Sequence, residues 1–97
     1  MTHTATQKEY IAVILFPYGC SSYARDLDKD QAIKRCAKIA VSDWSHLFKL
    51  SGAKVKVGLY DITDHDDVYW DERGMWGKGN ARIPVLENVE VTLPRKR

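Results

Sequence analysis

The stretch DKDQAIKRCAKIAVSDWSHLFKL, residues 28–50, decides the fold class. Ile33, Cys36, Ala37, Ala40, Trp44, Leu47 and Phe48 recur at three- and four-residue steps. Such spacing puts them on one stripe of an amphipathic helix. Asp28 followed by Gln31 has the form of a capping box, and Asp30 adds favourable negative charge to the first turn. Gly52 suits the left-handed position that closes a helix. Ser42-Asp43 offers a competing start, so a break near Val41 is the alternative.

Outward from this helix the patterning turns to strands. Upstream, Tyr10 to Phe16 reads Tyr-Ile-Ala-Val-Ile-Leu-Phe with no polar alternation, the signature of a central strand covered on both faces. Pro17, Gly19 and the Ser21-Ser22 pair punctuate its end. Downstream, Lys54 to Tyr60 alternates, with Val55, Val57 and Leu59 on one face and Lys54, Lys56 and Tyr60 on a wet one. Thr63 or Asp64 can cap a short helix running to about Arg73, ended by Gly74. Gly74, Gly77 and Gly79 mark an irregular loop. Ile83, Val85, Val89, Val91 and Leu93 share one parity. They read as one bulged edge strand with Pro84 on its open side, or as two short strands around Glu87-Asn88. The expected fold is α+β in β-α-β-α-β order: a small three- to four-stranded sheet carrying one long and one short helix. Strand pairing is left open.

The 97 residues suit one domain with a modest core, and 44% hydrophobic content fits a globular chain. Residues 1–8 read as a polar arm and Arg95-Lys96-Arg97 as a basic tail. No apolar run reaches the roughly 20 residues of a membrane span, and no signal peptide is evident. The expected compartment is the cytoplasm, and the expected state a monomer. Cys20 and Cys36 match no zinc spacing. Cys36 lies on the helix stripe as a core residue, Cys20 in a loop, and a cytosolic setting disfavours a bridge.

Charge is segregated. Asp61, Asp64, Asp66, Asp67, Asp71 and Glu72 put six negative charges into twelve residues that hold no Lys or Arg. The chain's net +2 therefore conceals a segment at −6 and a remainder at +8. Asp26, Asp28 and Asp30 form a second acidic knot, diluted by Arg25 and Lys29. A solvated loop with capping aspartates is the plainer reading of such a cluster. The neighbouring Tyr69, Trp70 and Trp76 give it the composition of an interface instead. Asp64, His65, Asp66 and Asp67 are hard metal ligands, but they lack the glycine and terminal glutamate of a calcium loop. No metal or other cofactor is expected.

Ser21, Ser22, Ser42, Ser45 and Ser51 lack a nucleophile-elbow context, and neither His46 on the helix nor His3 in the arm completes a catalytic set. Residues 74–79 lack the Gly-Lys-Ser/Thr pattern of a phosphate loop. Lys34, Arg35 and Lys38 on the wet helix face, with the basic tail, support a rival reading as a nucleic-acid binder. No recognition motif accompanies them.

With the stretch Ala24-Arg25-Asp26-Leu27-Asp28-Lys29-Asp30 and the acidic-aromatic stretch Asp61 to Trp76, the chain resembles phage- or prophage-encoded anti-CRISPR proteins of the type I-F inhibiting group, in particular its DNA-mimicking members. That resemblance implies a non-enzymatic inhibitor of the crRNA-guided surveillance complex. Its carboxylates would meet the lysines and arginines that otherwise hold target duplex near the PAM, between the large subunit and its small neighbour. The implied contact residues are Asp26, Asp28, Asp30, Asp61, Asp64, Asp66, Asp67, Tyr69, Trp70, Asp71 and Glu72. The net charge of +2 departs from a wholly acidic mimic, so mimicry would reside in one face.

Overall fold

The near-continuous apolar run of β1 (Tyr10–Leu15) lies at the centre of a four-stranded antiparallel sheet, as its pattern predicts. A computed structural model of the chain describes residues 8–95; His3, Lys96, Arg97 and all but Lys8 of the N-terminal arm lie outside them. The remaining strands are β2 (Ser21–Asp26), β3 (Lys54–Asp61) and β7 (Glu87–Thr92), in the order β2-β1-β3-β7. A second, three-stranded sheet contains β4 (Tyr69–Asp71), β5 (Gly74–Trp76) and β6 (Arg82–Ile83). One helix, α1 (Lys29–Trp44), joins β2 to β3. The α+β class stands, and every ladder is antiparallel.

β1 is buried on both faces because two cores meet on it. Ala12 and Ile14 face α1 with Ala24, Ala32, Cys36, Ala40, Val57 and Leu59. Ile11 and Val13 face the small sheet with Ile62, Met75 and Ile83. On the helix, Ala32, Cys36 and Ala40 stand four residues apart and are fully buried. Small side chains along one ridge let the helix backbone approach the sheet closely. Burial pushes the Cys36 thiol up to about 11, since a thiolate loses its hydration there. Both cysteines are free.

Several expectations are corrected. Ser21 and Ser22 do not end a structured region but open β2. Ser22 is buried, and its hydroxyl donates to the Cys36 carbonyl at 3.0 Å, which satisfies the polar group that hid the strand. The helix runs unbroken through Val41 and stops at Trp44, not Leu50. Its cap is Asp28 accepting from the Asp30 N–H. Gly52 has the expected positive φ of 73°, but in the turn before β3.

No helix forms between Thr63 and Arg73. Asp61 accepts from the Thr63 N–H and Asp71 from the Arg73 N–H, so these aspartates build turns where a helix start was expected. Tyr69–Asp71 then pairs with Gly74–Trp76, which turns part of the glycine loop into strand. Tyr60 is half-buried against the second core instead of facing water. The apolar parity from Ile83 to Leu93 is shared between two sheets, with Ile83 in β6 and Val89 and Val91 in β7. Among the described residues no helix is long and apolar enough to cross a membrane.

The free edge of β2 is closed by side chains of α1. The Trp44 indole N–H donates to the Ser21 carbonyl at 2.9 Å, and Arg35 donates to the Arg25 carbonyl at 2.7 Å. These bonds occupy groups through which an edge strand would recruit another strand.

Candidate functional site

The two acidic stretches, separated by more than thirty residues in sequence, meet at one end of the main sheet. Tyr10 is paired with Asp26 on one side and with Asp61 on the other, so both carboxylates flank the start of β1. The N-terminus of α1, with Asp28 and Asp30, follows β2 at this same end. The loop after β3 brings Asp64, Asp66 and Asp67 beside it.

Arg25 fastens that loop. Its guanidinium forms a two-pronged pair with Glu9 at 3.0 and 3.1 Å, and donates to the carbonyls of Asp66 at 3.0 Å and His65 at 3.5 Å. The hydrogen bond to Glu9 raises its pKa further, assisted by the charges of Glu9, Asp66 and Asp67. Neither Glu9 nor Arg25 was picked out from sequence as a site residue. Their role depends on β2 lying beside β1, and β2 carries no hydrophobic alternation strong enough to announce itself.

The carboxylates at this end divide by function. The Asp28 and Leu27 N–H groups and the Arg35 guanidinium hold Asp26 below the usual carboxylate range, with the Asp28 N–H contributing most. The Thr63 hydroxyl and N–H, and then Lys8, do the same for Asp61. Asp28 is the helix cap. Asp30, Asp64, Asp66 and Asp67 are exposed, and no side-chain hydrogen bond or ion pair engages their carboxylates among the described residues. Glu9, Asp26, Asp28, Asp30, Asp61, Asp64, Asp66 and Asp67 outnumber Lys8, Arg25, Lys29 and Arg35, so the end is negative.

Other sequence-derived site residues lie apart. Asp71 and Glu72 sit on the β4–β5 turn beside Leu15, Phe16 and Pro17, at the opposite end of β1. Trp70 is half-buried, packs on the second core and donates its indole N–H to the Ser21 hydroxyl at 3.2 Å. Its ring is thus held by packing and by that hydrogen bond within the fold. Tyr69 is half-exposed and stacks on Trp76 at 5.7 Å, with Arg73 and Arg82 also over the Trp76 ring.

No family model, curated protein or solved structure matches the chain.

Asp64, His65, Asp66 and Asp67 do not converge. Among the described residues no three His, Cys, Asp or Glu side chains are grouped to hold a metal ion, and the His65 ring lies so close to Gly77 that a Cβ there would collide with it. His46 stacks on Trp44. The basic helix face is split as well. Arg35 is committed to Asp26 and the Arg25 carbonyl, leaving Lys34 and Lys38, while the Arg95 guanidinium lies over Gly52.

The lowered pKa values of Asp26, Asp61 and Asp71, the last held down chiefly by the Arg73 N–H, predict an acid-sensitive fold. A carboxylate whose folded-state pKa lies below its unfolded value stabilises fully above the unfolded value and loses that contribution as pH falls through the folded one. The melting temperature is expected to be level near neutrality and to fall below pH ~4, where free aspartate begins to protonate. Asp61→Asn keeps an acceptor for the Thr63 N–H while removing one titrating group, so its acid limb should be shallower. Melts at pH 3 and pH 7 that coincide would contradict this account.

Proposed function

We propose that the chain is a non-enzymatic inhibitor that lays its acidic end on a basic protein surface built to hold nucleic acid. The partner that the resemblance indicates is the type I-F surveillance complex, at the surface where its large subunit and small neighbour grip the PAM-proximal duplex. The observation that carries this reading is the convergence of Asp26, Asp28 and Asp30 with Asp61, Asp64, Asp66 and Asp67 on a frame fixed by Arg25. A surface arranged to neutralise phosphates attracts such carboxylates electrostatically, and ordered carboxylates lose less freedom on binding than a loose acidic tail. The chain's overall positive charge does not oppose this. Attraction between exposed charges is governed by the groups within about 8–10 Å at physiological salt, which is the screening length.

The test mixes the protein with purified surveillance complex and labelled target duplex. Co-migration of protein and complex on a sizing column is expected, with release of the duplex and weakening as salt rises. Absence of co-migration at low salt, or a shift of naked duplex by the protein alone through Lys34 and Lys38, would refute the reading.

A further inference from the structure

The two edges of the main sheet differ. The edge of β2 is closed by Trp44 and Arg35 of α1. The outer edge of β7 is not: among the described residues no hydrogen bond reaches the main chain of Asn88, Glu90 or Thr92 from outside the sheet. Those residues present their N–H and C=O groups outward. Leu93 N–H donates to the Ala53 carbonyl at 2.7 Å, and alternate residues of an antiparallel strand turn to the same neighbour. Leu93, Val91 and Val89 therefore bond to β3, while Thr92, Glu90 and Asn88 turn away from it. The sheet face beside this edge is also incompletely covered. Helix α1 lies on β1 and β2, so Val55, Val89 and Val91 are only half-buried. Val85 and Leu86, which lead into β7, are 45% and 48% exposed.

We propose that the chain forms a symmetric dimer in which β7 pairs antiparallel with β7 of a second copy, about a two-fold axis at Val89. Registers centred on Val89, Glu90 or Val91 each keep the valines of both copies on one face, and side-chain chemistry separates them. An axis at Glu90 would set two carboxylates directly opposite each other, which is destabilising. An axis at Val91 would set Pro94, which has no N–H, opposite Asn88. An axis at Val89 pairs Asn88 with Glu90 of the second copy, twice. It sets Val89 against Val89, flanked by Val57 on both sides, and brings the exposed Leu86 beside Thr92 of the second copy. Each Glu90 keeps Lys56 of its own copy directly across β3. The monomer expected from sequence is thereby replaced by an eight-stranded sheet with an acidic end at each extremity. This inference is independent of what those ends bind.

Sedimentation of the full chain from micromolar to submillimolar concentration tests it. Twice the 11.1 kDa chain mass is expected at the upper end. Glu90→Pro removes an N–H that points away from β3, so the monomer mass is expected with the β3–β7 ladder kept. If that variant folds poorly, register is read by crosslinking in a Cys20→Ser background. Val89→Cys places two thiols at a non-hydrogen-bonded pair with Cα atoms about 4.5 Å apart, close enough for a disulfide. Val91→Cys sets each thiol against Glu87 and is expected not to crosslink. A wild-type chain that stays monomeric throughout, or crosslinking by Val91→Cys and not Val89→Cys, would overturn the proposal.

Discussion

Asp64→Lys/Asp66→Lys/Asp67→Lys is expected to abolish partner binding and leave a folded protein. The three side chains are exposed, and surface substitutions of this kind usually change stability by about 0.5 kcal/mol or less each. What the fold takes from this loop is main chain: Arg25 donates to the carbonyls of His65 and Asp66, which the substitutions keep. Some loss is expected because Asp66 and Asp67 also attract the Arg25 charge. At a basic partner surface the change converts attraction into like-charge contact, worth several kcal/mol, and every ~1.4 kcal/mol is tenfold in affinity. The loss should therefore exceed about a hundredfold. Two comparison variants give the experiment direction. Asp26→Lys/Asp28→Lys/Asp30→Lys should weaken binding and also lower the melting temperature. It removes the helix cap, at about 1 kcal/mol, together with the pair to Arg35. Asp71→Lys/Glu72→Lys, at the far end of β1, should leave binding near the parent value. If all three variants compete with target DNA as the parent does, the acidic end is not the contact surface.

The elements legible in sequence were those whose side chains carry a period. β1 shows an unbroken apolar run because two cores cover it, and α1 shows a 3.6-residue stripe because one face meets the sheet. Val57 and Leu59 alternate with Lys54 and Lys56 as a strand with one wet face should, although Tyr60 departs because the small sheet covers that end. The elements missed were those held by local polar bonds. β2 reads Ser-Ser-Tyr-Ala-Arg-Asp, in which only Ser22 and Ala24 are buried. Its place depends on β1 across the hairpin and on Trp44 and Arg35 from the helix. The hairpin of β4 and β5 was masked by aspartates that stand equally well at a helix start and in a turn. Asp61 and Asp71 accept backbone N–H bonds two residues on, the competing role of such side chains. The candidate site was visible as composition but not as geometry. The segment from Asp61 to Glu72 looked like one acidic surface, and the turn at Asp61 and the strand at Tyr69–Asp71 carry its two halves to opposite ends of β1. Arg25, which assembles the acidic end, looked like one diluting charge in an acidic knot.

Trp44→Ala tests the opposite end of the molecule, where the expected effect is on stability alone. The indole closes the last turn of α1. It packs at 6.5 Å from the Phe16 ring, which in turn stacks on Phe48 at 5.4 Å, and its N–H holds the Ser21 carbonyl at the edge of β2. Truncating a large core aromatic costs about 3–5 kcal/mol; Trp44 is half-buried, so the lower end applies. For a domain of this size each kcal/mol lowers the melting temperature by roughly 4–8 °C, so a fall of about 15 °C is expected. Trp44→Phe divides the effect. It keeps most of the ring contact and removes the hydrogen bond at a half-exposed carbonyl that water can reach, a loss of about 1 kcal/mol. Both variants should bind the partner like the parent at temperatures where they are folded, because Ser21 and Trp44 lie at the hairpin end of β1 and the acidic groups at its start. A Trp44→Ala protein that melts within a few degrees of the parent would mean that the helix end does not anchor β2. One that melts normally yet loses binding would move the contact surface to the aromatic end.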